Sequence, residues 1–176
     1  MSNLKFHYNN VVKYDMLTKF HEKTPPGICD FKKIVLHLGK KEVSLKLLLP
    51  LVAALELISY QISFTTLVGS SSASLKIQKG APVGCKVTLR AKYLYSFFFY
   101  VVSRIFPHVI EELADFKIKK SKTFEFKLND IINFSEIENQ YELFKIVSRL
   151  DISVVTSAKN TNNLRILFSS FRFPIR

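Results

Sequence analysis

Tryptophan is absent, and the two cysteines, Cys29 and Cys85, stand far apart with no Cys-x-x-Cys pair. That spacing excludes a disulfide framework and a thiolate zinc site. Two isolated cysteines suggest a reducing compartment and buried, inert thiols. Glycine and proline are scarce, at five and six residues, which excludes collagen-like and linker-type sequence. No repeat of roughly 20–50 residues is present, so solenoids and propellers are out. His7, His21, His37 and His108 are dispersed, without metal spacing. Long apolar runs are missing as well. The run 47–55 lies between Lys46 and Glu56, and 93–103 ends at Arg104. A spanning helix needs about 20 apolar residues. The N-terminus has no secretory apolar region, and Asp15 fits poorly with an Arg-rich transit peptide.

Catalytic motifs are lacking too. There is no GxGxxG, GxxxxGK[ST], GxSxG or HExxH. Glu111-Glu112 would act as a general acid only inside a cleft. A solvated face is the ordinary reading of such a pair. No enzyme is expected.

What is most unevenly missing is negative charge. Between Glu56 and Glu111 there is no acid at all, while Lys76, Lys79, Lys86, Arg90, Lys92 and Arg104 all lie there. The whole chain carries 26 Lys+Arg against 14 Asp+Glu, a net charge of +12. Solubility of a small domain needs only about 2–8 net charges. The excess calls for a polyanionic partner, nucleic acid before an anionic membrane. The chain has 176 residues, 48% of them apolar, so it is long enough for one cored domain over 1–176 and too apolar for a disordered tail.

Periodicity then gives the elements. Residues 4–20 read as a helix with Phe6, Val11, Val12, Leu17 and Phe20 on one face. Thr24-Pro25-Pro26-Gly27 stops it. Residues 31–38 read as a strand, with Ile34, Leu36 and Leu38 on one face and Lys33, Val35 and His37 on the other. A helix is expected over 44–58, with Ser44 as its cap and Pro50 as a flaw. A short strand follows at 61–67, then an exposed loop or hairpin tip. Residues 84–90 alternate, with Cys85, Val87 and Leu89 inward and Lys86, Thr88 and Arg90 outward. An aromatic helix over 93–106 buries Phe97, Phe98, Val101 and Ile105 and ends at Pro107. Strands at 122–128 and 151–158 and helices at 140–149 and 160–171 complete the chain. Strict alternation marks a sheet with one covered face. The expected class is α+β: a curved antiparallel or mixed sheet with helices packed on one face.

The open face carries the chemistry. Lys86, Thr88 and Arg90 place an ammonium, a hydroxyl and a guanidinium in a row, donors suited to phosphate and sugar oxygens. Lys32, Lys33, Lys40 and Lys41 flank another strand and extend the basic patch. The phenylalanines fall at buried spacing and read as core rather than as stacking platforms.

GAPVGCKVTLR at 80–90 resembles the signature segment of the large-subunit ribosomal protein L-five (uL-five) family. FHYNNVVKYDMLTKF at 6–20 resembles its N-terminal helix. The segment 132–160 resembles its C-terminal part in plant and protist mitochondrial versions, and FSSFRFPIR its terminal Phe-x-Phe-Pro. The resemblance runs from residue 4 to 176. It implies a structural RNA-binding protein that needs no cofactor. The implied partners are 5S rRNA, large-subunit rRNA, the P-site tRNA and neighbouring proteins of the central protuberance. A small-subunit protein across an intersubunit bridge joins them. Carried over residue by residue, the RNA-contact set is Gln61, Lys86, Thr88 and Arg90, with His37 where the family often has Asn. The tRNA-facing loop corresponds to about 68–82, with Ser70, Ser71, Ser72, Lys76 and Lys79. It holds fewer cations than is usual, so a weaker tRNA contact is expected. The segment 108–128 lacks the family's glycine-rich loop, which bears on the bridge.

The resemblance starts almost at Met1, and Phe, Ile, Lys and Asn are heavily used. A mitochondrially encoded protein of the matrix is therefore expected, with a plastid or bacterial source as the alternative. The competing function is a basic peripheral membrane protein. It would need a basic amphipathic helix with exposed apolar anchors, whereas the lysine clusters here fall on strands and corners.

Overall fold

The computed structural model describes residues 3–20, 28–39, 45–71, 77–109, 117–119, 122–147 and 149–173. The elements in chain order are α1 (Asn3–His7), a π-helical turn (Tyr8–Val12), α2 (Lys13–Phe20), β1 (Phe31–Gly39), α3 (Leu45–Ser59), β2 (Phe64–Leu67) and β3 (Pro82–Leu89). There follow α4 (Ala91–Tyr100), a second π-helical turn (Val101–Ile105), α5 (Phe106–Val109), β4 (Lys117–Lys119) and β5 (Thr123–Leu128). The last four are α6 (Ser135–Glu138), α7 (Tyr141–Phe144), β6 (Leu150–Thr156) and α8 (Thr161–Ser170). The class is α+β, as expected.

The strands form one sheet in the order β2-β3-β1-β6-β5-β4. β2 runs antiparallel to β3, with Phe64 opposite Lys86, and β4 antiparallel to β5, with Lys117 opposite Glu125. Before β1, the Asp30 carbonyl accepts from the Ser157 N–H just after β6, at 2.9 Å. Near the end of β1, His37 lies by Asp151 at the start of β6. These two points make that pair antiparallel as well. Thr156 at the end of β6 donates its N–H to the Lys122 carbonyl just before β5, at 2.8 Å, so β6 and β5 also run in opposite directions.

The chain falls into two compact units. The first comprises Met1–Ile34, Leu89–Phe126 and Ser153–Arg176. Its core is aromatic. Phe106 and Phe173 meet edge-on at 4.4 Å between ring centroids, and Phe124 and Phe168 lie tilted at 4.5 Å. Phe31 lies 5.0 Å from Phe98 and 5.4 Å from Phe171. Such pairs add about 0.5–1.5 kcal/mol each beyond their burial. Two buried phenols find acceptors. Tyr8 donates to the Cys29 carbonyl at 2.9 Å, and Tyr95 to the Asp30 carboxylate at 3.1 Å. Burial, reinforced by the Asp30 charge, holds both phenols far above their usual range.

Two helices of this unit differ from expectation. At the N-terminus the buried face is Tyr8, Val12 and Met16, while Phe6 and Val11 are exposed and Leu17 is half-buried. Spacing of four through the π-helical turn selects this stripe, and Tyr8 joins the core because Cys29 supplies its acceptor. The aromatic helix buries Phe97, Phe98, Val101 and Ile105 as expected, yet helical backbone continues past Pro107. The Phe106 N–H bonds back to the Val101 carbonyl across the π-helical turn. Pro107 then falls in the first turn of α5, where its missing N–H costs least.

The second unit comprises Val35–Thr88 and Lys127–Ile152. α3 buries Leu51, Ala54, Leu55 and Ile58, a helical stripe that carries Pro50 within the helix. α3 packs against α6 and α7. α7 is a short helix where one over 140–149 was expected, and α6 is a further short helix before it; Phe134, Ile137 and Phe144 fix them by burial. Ser44, the expected cap, lies outside the described residues. β2 is shorter than expected and leaves Gln61 in the connection after α3. Gly84 is required by close approach: a Cβ there would run into the Leu38 carbonyl oxygen.

Candidate nucleic-acid interface

Alternation along β3 builds the row. Cys85, Val87 and Leu89 are buried, while Lys86 is exposed and Thr88 half-buried. Arg90, exposed, follows directly as the cap residue of α4. Successive members of such a row stand about 6.8 Å apart. Two of the three thus stand on β3 and Arg90 on the residue after it, and together they present two cations and a hydroxyl.

β1 repeats the pattern. Ile34, Leu36 and Leu38 are fully buried; Lys33, Val35 and His37 are half-buried on the other face. Lys32 is exposed where the alternation breaks, because Phe31 turns into the aromatic core instead. His37 Nδ1 lies 3.9 Å from an Asp151 carboxylate oxygen. The other Asp151 oxygen accepts from Arg149 Nε at 3.0 Å. Asp151 is thus a carboxylate beside the row, shared by an arginine and a histidine. Arg149 was not anticipated, because its link to His37 runs through the pairing of β1 with β6.

Gln61 sits, half-buried, in a corner held by short bonds. The Ser59 hydroxyl reaches the Gln61 carbonyl at 3.2 Å, and the Glu56 carboxylate accepts from the Ser63 N–H at 2.9 Å. The Tyr60 hydroxyl donates to Glu136 at 2.9 Å. Tyr60 itself has φ 51°, a left-handed conformation at the end of α3.

After β2 the chain pairs again at Val68 with the residues just before β3. Val68 donates to the Ala81 carbonyl and Gly80 to the Val68 carbonyl, both at 3.0 Å. Gly80 supplies φ 85°. Ser70, Ser71 and Lys79 are exposed. Ser72 and Lys76 lie outside the described residues, as do Lys40, Lys41 and the pair Glu111-Glu112.

Both cysteines are buried and unpaired. Burial, less a Thr156 hydrogen bond, pushes the Cys29 thiol up to about 11. Burial and the Glu56 charge push Cys85 up to about 12. Neither is a nucleophile near neutral pH. Among the described residues no three His, Cys, Asp or Glu side chains gather as a metal site, and no helix is long and apolar enough to cross a membrane. What the arrangement offers is cations and hydroxyls on a rigid strand.

Comparison with known proteins is consistent with that chemistry. Residues 82–175, more than half of the chain, match the C-terminus of the ribosomal protein L-five family. The chain is 33% identical to the large ribosomal subunit protein uL5m of Reclinomonas americana, over 99% of this chain and 98% of that protein. It is 34% identical to uL5 of Nitrosomonas europaea, over 100% and 99% of the two chains. It is 31% identical to uL5 of Buchnera aphidicola, again over 100% and 99%.

Proposed function

Because the chain belongs to the uL5 family of large-subunit ribosomal proteins, we propose that its basic strand face binds 5S rRNA and large-subunit rRNA in the central protuberance. The role in the ribosome is structural, not enzymatic. One observation carries the RNA reading: Lys86 and Thr88 stand outward on a strand whose alternate residues are buried, and Arg90 follows exposed at its end. Lys33 and His37 add donors from β1. Contacts of this kind position RNA through its backbone. The segment 68–82, with Ser70, Ser71, Ser72, Lys76 and Lys79, is the part that approaches the P-site tRNA. Neighbouring proteins of the protuberance and a small-subunit protein across the bridge are the further partners.

The mitochondrial matrix is the proposed compartment, supported by the likeness to a protein named uL5m. The bacterial relatives keep a bacterial or plastid origin as the alternative. The test is to sequence RNA cross-linked to the protein in intact organelles. Fragments of 5S and large-subunit rRNA are expected. Large-subunit fragments alone would remove the 5S contact and leave the docking. No enriched rRNA would overturn the reading.

A further inference from the structure

Among the described residues Phe6, Phe64 and Phe99 expose their rings, and of these Phe64 lies on the sheet. Phe64 opens β2 and is 69% exposed, whereas the rings of the aromatic core are buried. It lies directly opposite Lys86 in the antiparallel register. Opposed residues share a face, with Cβ atoms about 4.5–5.5 Å apart. The next pair on that face is Thr66 and Gly84, and Gly84 has no side chain to cover the ring. Thr88 follows Lys86 on the same side of β3. No acid occurs in sequence between Glu56 and Glu111.

Paired RNA asks a protein for cations and hydroxyls along its backbone. An exposed aromatic ring beside an ammonium offers something more. The ring can take the face of a base, and the cation the phosphate attached to it. Only an unpaired base has a free face to give.

We infer that Phe64 is an RNA-contact residue that stacks on one unpaired nucleotide of rRNA, with Lys86 holding the adjacent phosphate. The inference rests on the basic strand face being the rRNA-binding face. It makes the site selective for a bulged or looped-out base over continuous duplex.

The absence of tryptophan provides the test. Phe64→Trp places a single indole in the chain. The full-length variant is titrated with transcripts of 5S rRNA, of a large-subunit rRNA fragment, and of a plain RNA duplex. Stacking quenches indole emission, so binding of a loop-containing transcript should at least halve it, and the duplex should leave it unchanged. Phe64→Ala and Phe64→Leu should each weaken binding about 10-fold without altering its salt dependence. Lys86→Ala should instead lower the salt dependence by about one phosphate. Thermal melting of Phe64→Ala should match the parent, since the ring is exposed. Tight binding with unchanged indole emission from Phe64→Trp and unchanged Phe64→Ala affinity would overturn the stacking role and leave the rRNA reading standing. Binding to none of the transcripts would overturn both.

Discussion

Gly84 is held by geometry alone. An added Cβ would meet the Leu38 carbonyl oxygen and stand 3.0 Å from Gly39 Cα. Both obstacles are backbone, so nothing can swing aside. Gly84→Ala is expected to cost about 1–3 kcal/mol, or about 2–4 °C of melting temperature for each kcal/mol. Thermal denaturation checks this, and an unchanged midpoint would contradict the close approach. Cys85 makes a second prediction. Its neutral thiol is favoured in the fold, with a value of about 12 against an ordinary 9.0. A raised value means that stability is fully present below the unfolded value and is lost as pH rises through the folded one. Folding stability should therefore fall between about pH 9 and pH 12, with Cys29 contributing in the same direction from its value near 11. At pH 8 iodoacetamide should label neither thiol until denaturant is added. The sequence already marked both cysteines as buried, because neither had a partner. It could not mark Gly84, since that demand comes from the neighbouring strand.

Elements were legible where one face is plainly apolar. β3 and β1 alternate without exception across Cys85–Leu89 and Lys33–Leu38, and both appear with the faces read from sequence. Legibility failed where tertiary partners choose the face. Tyr8 lies off the apolar face read from sequence, and is buried where the Cys29 carbonyl meets its hydroxyl. Pro107 reads as a helix stop until the π-helical turn places it at a fresh start. β4 is three residues long and has no pattern to detect. The aromatic core joins elements far apart in sequence, and Phe168 on α8 is one of its meeting points. It touches Phe31, Phe98, Phe124 and Phe173, with centroids 4.5–5.9 Å away. Phe168→Ala should therefore cost about 3–5 kcal/mol, measured by urea denaturation. Phe6→Ala, at a ring 64% exposed on α1, should change stability by less than about 0.5 kcal/mol. Equal losses from the two would mean that the helices had been assigned the wrong inward faces.

The whole molecule is defined by where its charge is concentrated. Net charge over residues 1–92 is +9, from 14 basic and 5 acidic residues, and over 93–176 it is +3, from 12 and 9. That asymmetry was readable at once and already favoured RNA. Where each cation stands was not readable from net charge. Lys33 and Lys86 stand on strand faces, Arg90 at the cap of α4, Lys32 at a strand start and Lys79 just before β3. If each of these five meets one phosphate, the logarithm of affinity should fall with the logarithm of salt at a slope near −4. From 50 to 200 mM salt that is roughly a 250-fold loss of affinity for the rRNA transcripts. Replacing Lys86 or Arg90 by alanine should reduce the slope by about one each. Replacing Lys145, exposed at the end of α7, should leave it unchanged. A bare attraction between a +12 protein and any polyanion would respond to all three replacements alike. A slope that answers to Lys86 and Arg90 but not to Lys145 requires the RNA to sit on the strand face.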